Sequence, residues 1–182
     1  FNYNTKKPKY NYMFSLLFPG QGSQSVGMCK EFYNKFDIVK NIFKNADEIL
    51  NYSLSRIIFE GPKEELDLTE NTQPAIFLVG HSIFTLLTKE FQFKDSNSLF
   101  FAGHSLGEYT ALNSAGFISF EDTIKILKKR GKAMQSSVPQ GEGGMIAVLG
   151  SKIQFIENLL EENKNNYKCF IANDNSDGQL VL

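Results

Sequence analysis

Gly103, Ser105 and Gly107 form a Gly-x-Ser-x-Gly pattern. The pattern places a serine on a tight turn between a strand and a helix, with its hydroxyl exposed to an acyl carbon. A serine hydroxyl is a weak nucleophile until a base takes its proton, so such a site also needs an activating group. A helix opening at Ser105 would direct its first N–H groups at charge developing nearby, which makes the Leu106 N–H a natural oxyanion-hole donor. A second donor has to come from another loop at the same sheet edge. Pro19-Gly20-Gln21-Gly22-Ser23-Gln24 is the candidate, because glycines on both sides of Gln21 let the main chain approach a substrate closely. This loop is not a dinucleotide fingerprint, since Ser25 holds the third glycine position, and no Gly-Lys-Ser/Thr follows to make a phosphate loop.

A second group is cationic. Thr123, Leu127, Arg130 and Met134 fall on one face of a helical pattern, with Ile126 and Ala133 beside them. That grouping predicts a buried Arg130, and buried arginine is rare unless paired. A planar guanidinium can hold a carboxylate through two parallel hydrogen bonds, which suits an acyl group bearing its own negative charge. An internal salt bridge, for example to Glu108, fits the pattern equally well. Lys125, Lys128, Lys129 and Lys132 line the neighbouring face, which reads as solvated; steering of an acidic partner is the sharper reading. Neither histidine suits a base. His104 adjoins Ser105, and adjacent side chains on such a turn diverge, while His81 sits mid-helix among apolar residues.

The elements that would carry these groups alternate. Phe14–Phe18 and Ser98–Ala102 are apolar runs that read as buried strands. Helical patterns cover about Cys29 to Asn51, Thr72 to Glu90 with Pro74 in the first turn, the stretch from the serine turn to about Ala115, and Glu121 to about Gln135. Glu60 to Asn71 is acidic and reads as a loop. Pro139 and the glycines at 141, 143 and 144 mark a linker. Beyond it, Met145–Leu149, a helix at Ile153–Asn163, Cys169–Ala172 and Leu180–Leu182 suggest a smaller unit. The expected organisation is a basic extension at 1–12, a first domain at 13–138 and a partial one at 139–182, in an α/β fold with a mainly parallel sheet.

Composition narrows the classes. The chain has 182 residues, of which 42% are hydrophobic and 21% charged, as in a globular protein. Nineteen basic residues balance 20 acidic ones, which gives no reason to expect nucleic acid as a partner. Two distant cysteines, Cys29 and Cys169, and two histidines predict reduced thiols and no protein-bound metal. No apolar run reaches membrane-spanning length. Phe1–Tyr12 is polar and basic, and no acidic residue precedes Glu31. It reads either as the remnant of a transit peptide, implying a plastid-type (apicoplast-like) organelle, or as a disordered extension, leaving bacterial cytoplasm.

FPGQGSQ at 18–24, GHSLGEY at 103–109 and RGKAMQ at 130–135, in this order and spacing, closely resemble malonyl-CoA:acyl-carrier-protein transacylases. TQPA at 72–75 and NDNSDGQLVL at 173–182 resemble that family too, so the similarity covers Phe14 to Leu182. The resemblance implies an α/β-hydrolase-like large subdomain with a parallel sheet and an inserted ferredoxin-like smaller one, incomplete here. It implies Ser105 as the carrier of the malonyl ester, the amides of Gln21 and Leu106 as the oxyanion hole, Arg130 on the malonyl carboxylate and His104 lining the site. Malonyl would arrive as a coenzyme A thioester, with no bound cofactor, and leave on the phosphopantetheine thiol of acyl carrier protein, in fatty acid biosynthesis. A monomer without membrane attachment is expected. The family's catalytic histidine lies beyond the smaller subdomain and outside this sequence, so the chain reads as truncated and, alone, inactive. A serine esterase or thioesterase and an inactive fragment are the competing readings.

Overall fold

A computed structural model describes residues 13–91, 93, 98–137 and 142–182. The basic extension at 1–12 lies outside the described residues, as do Pro139 and Gly141 of the expected linker. The chain divides after Ser137 into two compact units.

In the larger unit β1 (Phe14–Phe18) and β2 (Ser98–Gly103) pair in parallel, with Phe18 opposite Gly103. Helices fill the chain between and after them, so this unit is α/β with a parallel sheet. The strands are less buried than their apolar runs predict. Half-buried and exposed positions alternate along β1, and Leu17, Leu99 and Phe100 are 76%, 53% and 68% exposed. One face of the pair is covered, and continuous burial requires cover on both.

Between the strands lie α1 (Lys30–Lys35), α2 (Asp37–Leu50), α3 (Leu54–Glu60), α4 (Lys63–Asp67) and α5 (Thr69–Lys89). The helical patterns near 29–51 form two helices that part at Phe36, whose backbone is extended. In α2, Val39, Phe43 and Ala46 recur at helical spacing and are fully buried. The acidic stretch read as a loop is largely helical instead. Pro62 precedes α4 at a position that tolerates a missing N–H, Glu64 and Glu65 face its positive end, and Leu66 is buried.

Helix α5 begins three residues earlier than expected, so Pro74 stands in its second turn, where its absent N–H leaves the Glu70 carbonyl without the usual helical donor. Asn71 to Leu78 are all buried, which makes the first half of α5 the centre of the core. Phe43 and Phe77 are fully enclosed; each contributes about 1.5–3 kcal/mol through burial.

After β2 come α6 (Gly107–Ser114) and α7 (Phe120–Ser136). The Ser119 hydroxyl caps α7 by accepting from the Asp122 N–H at 3.0 Å. Helices α5 and α7 meet backbone to backbone. A Cβ built on Gly131 would fall 2.6 Å from both Glu70 Cα and the Thr69 carbonyl oxygen.

The smaller unit holds β3 (Ala147–Leu149), α8 (Ile153–Asn163), β4 (Asn173–Ser176) and β5 (Gln179–Val181). Its three-stranded sheet, in the order β3-β5-β4, is antiparallel throughout. The strand read at Cys169–Ala172 lies later, at Asn173–Ser176, because the turn through Asp177-Gly178, with Gly178 at φ +82°, dictates which residues pair with β5. No helix among the described residues is long and apolar enough to cross a membrane. Both cysteines are free thiols, and burial pushes the Cys29 thiol up to about 11.

Candidate active site

The elbow after β2 is built by sterics. The His104 N–H extends the strand ladder by donating to the Phe18 carbonyl at 3.1 Å, and Gly107 N–H then donates back to the His104 carbonyl at 2.9 Å. Between them Ser105 adopts φ +55°, a left-handed conformation that costs a non-glycine residue about 1–2 kcal/mol. Three glycines make the bend possible by close approach. A Cβ on Gly103 would sit 1.9 Å from the Gly107 carbonyl carbon, and one on Gly107 would sit 2.3 Å from the Phe18 oxygen. One on Gly20 would collide with the His104 carbonyl oxygen at 2.8 Å. The 19–24 loop therefore abuts the serine turn directly.

Ser105 is exposed while Leu106 beside it is buried, so the elbow is anchored by one side chain and presents the other. Neither the Gln21 nor the Leu106 main-chain N–H finds an intramolecular acceptor among the described residues. His104 is exposed, and its Nδ1 lies near where a Gly20 Cβ would stand.

Arg130 reaches this turn from α7. Its Nη2 donates to Ser105 Oγ at 3.2 Å and its Nη1 to Gln73 Oε1 at 2.6 Å. The guanidinium carbon lies 5.9 Å from the centre of the Tyr109 ring. No ion pair to Arg130 occurs among the described residues, so the salt bridge to Glu108 is not formed. The predicted setting of Arg130 needs correction. The buried residues of α7 are Thr123, Ile124, Leu127 and Gly131, whereas Ile126, Ala133 and Met134 are exposed and Arg130 is half-buried. The apolar stripe is rotated toward Gly131, where α5 packs closest, and Arg130 occupies its edge.

Gln73, on α5, is a site residue that the helical pattern did not single out. It is 1% exposed, and it holds Arg130 Nη1 while its own Nε2 donates to Met134 Sδ at 3.1 Å. Its only sequence signal was its place within TQPA.

The lysine face divides. Lys125, Lys129 and Lys132 are exposed, but Lys128 is half-buried, 3.3 Å from Glu70, bonded to Asn71 Oδ1 at 3.1 Å and 4.5 Å from the centre of the Tyr52 ring. It ties α7 to the head of α5 and is not part of a solvated stripe. His81 packs against both the Phe77 and Phe120 rings, which also touch each other, with Nδ1 2.6 Å from Asn113 Oδ1. Burial lowers its pKa below the ordinary 6.5, which favours the neutral ring. At Ser105 Oγ the hydrogen bond is donated by Arg130.

The chain resembles known proteins over most of its length. A family profile described as "Acyl transferase domain" matches residues 15–176. The malonyl CoA-acyl carrier protein transacylase of Bacillus subtilis (strain 168) is 42% identical over 171 residues, which cover 92% of this chain and 52% of that protein. A crystal structure of acyl-carrier-protein S-malonyltransferase from Bartonella henselae superposes with a TM-score of 0.86 at 40% identity, covering 93% of this chain and 54% of that one. A malonyl-transacylase solved in complex with a type II PKS acyl-carrier protein gives 0.84 at 38% identity, with 93% and 54% coverage. The chain thus spans about half the length of the relatives it matches. With its serine elbow, its abutting glycine loop and a match over most of its length, the chain belongs to the acyl transferase domain family.

Proposed function

We propose that the protein carrying this segment moves malonyl from malonyl-CoA to the phosphopantetheine thiol of acyl carrier protein, through an ester on Ser105, in fatty acid biosynthesis. The observation that carries this reading is the 3.2 Å hydrogen bond from Arg130 to Ser105 Oγ, made by a guanidinium with no carboxylate partner among the described residues. A cation held beside a nucleophile, and left uncompensated, suits an acyl group that brings its own carboxylate.

In the first half-reaction Ser105 Oγ attacks the thioester carbon, the carbonyl becomes an oxyanion between the Gln21 and Leu106 N–H groups, and the C–S bond breaks to release coenzyme A. In the second, the carrier-protein thiol attacks the seryl ester and frees the serine hydroxyl. Arg130 binds the malonyl carboxylate throughout, with Gln73 fixing its other nitrogen, and His104 lines the site. The family resemblance assigns the proton-transferring base to a histidine that is neither His81 nor His104.

On this reading residues 13–138 form an α/β-hydrolase-like subdomain and residues 139–182 part of a ferredoxin-like one. The antiparallel order β3-β5-β4 with α8 supports the latter. No bound cofactor enters, because the thioester itself supplies the activated acyl group. We read the protein as a monomer of the bacterial cytoplasm, in keeping with the bacterial sources of the relatives named above.

Brief exposure of the protein, as its cell makes it, to malonyl-CoA should add the mass of one malonyl group at Ser105, and acyl carrier protein should remove it as a thioester. Release as free malonate would favour a hydrolase. Arg130→Ala should weaken discrimination of malonyl-CoA from acetyl-CoA by about 2–5 kcal/mol, the scale of removing one partner of a desolvated charge pair. Unchanged discrimination would overturn the assignment of Arg130.

A further inference from the structure

The Gln21 N–H shares a peptide unit with the Gly20 carbonyl, and in a trans peptide the two point in opposite directions. Whatever grips the carbonyl therefore aims the N–H. Ser23 Oγ donates to that Gly20 oxygen at 2.9 Å. The next peptide unit is gripped from its other end, because Gly22 N–H donates to Gln24 Oε1 at 2.8 Å. Gln24 is itself anchored outside the loop, with Nε2 donating to Asp67 Oδ1 at 2.8 Å. Asp67 is paired with Lys63, and that ammonium, then the Gln24 amide, hold its carboxyl below the ordinary carboxylate range. Packing holds Gly20 against His104 but does not reach Gly22. Gly22 has φ +104°, and a Cβ built there would meet nothing within 4 Å.

We infer that Ser23 and Gln24 are positioning residues that set the two peptide planes flanking Gln21 and so hold its N–H on the ester oxyanion. The inference rests on the reading of Gln21 as an oxyanion donor given above. It gives the last two residues of the GQGSQ stretch a role at the transition state without contact to substrate.

The test is rapid-quench measurement of Ser105 malonylation in the protein as its cell makes it, across malonyl-CoA concentrations. Loss of a complete oxyanion donor costs roughly 10²–10³-fold in rate, and loss of its aim should cost less, about 10-fold. Ser23→Ala and Gln24→Ala should each slow the maximal rate by about that factor while the half-saturating concentration stays put. Ser23→Thr, which keeps a hydroxyl at the same atom, should recover most of the loss. An unchanged maximal rate in either alanine variant, or no recovery with threonine, overturns the inference. Failure of the proposed transfer reaction itself looks different: the wild-type protein then acquires no malonyl at Ser105 at all.

Discussion

Two chain reversals meet at the head of the parallel strands, and opposite means hold them in shape. After β2 the bend is enforced by volume, since Gly103 and Gly107 lie where any side chain would overlap main chain, and Ser105 is left at φ +55°. After β1 the bend is wedged only at Gly20, against His104, and beyond it is held by removable polar contacts from Ser23, Gln24 and Gln21. A turn wedged by backbone contact fixes a reacting atom rigidly and stores strain in doing so. A turn tied by hydrogen bonds stores little, and it can be retuned one side chain at a time. The proposed nucleophile sits on the first kind and the proposed oxyanion donor on the second.

The contrast can be broken most directly at Gly103. Gly103→Ala should cost about 4 kcal/mol or more in urea unfolding, because backbone would have to move; a loss under about 1 kcal/mol would mean that the wedge is an illusion. Ser105→Gly should act in the opposite direction, raising stability by about 1 kcal/mol through relief of the left-handed residue while abolishing malonylation. No gain in the same unfolding measurement would show that the elbow carries no strain. Gln21→Ala removes only an exposed side-chain bond to Thr69 Oγ1 of 3.2 Å and keeps the main-chain N–H. Its stability should change by less than about 0.5 kcal/mol, and its malonylation rate should fall less than that of Ser23→Ala. A larger rate loss would move the loop's main anchor from Gln24 to Gln21.

Local chemistry was legible in the sequence where a residue's own type decided the outcome. The strand-turn-helix around Ser105 follows from glycine spacing, and α8 spans the expected residues because its apolar periodicity is uninterrupted. Contacts between distant elements were not legible. Gln73 and Arg130 are 57 positions apart, and nothing in either helix's pattern says that they touch. Lys128 looks like its neighbours in a lysine stripe until α5 brings Glu70 beside it. The acidity of 63–67 suggests a solvated loop, yet the stretch is helical, because acidic residues behind a proline also suit a helix start.

Gly131 stands next to Arg130 at the point where α7 and α5 meet with no side chain between them. Arg130 thus swings from a pivot set by contact between main chains, with no compressible spacer to absorb error. The added methyl of an alanine at 131 would push the whole lever aside before any atom of the site was touched. The proposed selectivity for a charged acyl group would then be lost through the spacing of two helices, with every polar residue around the serine intact.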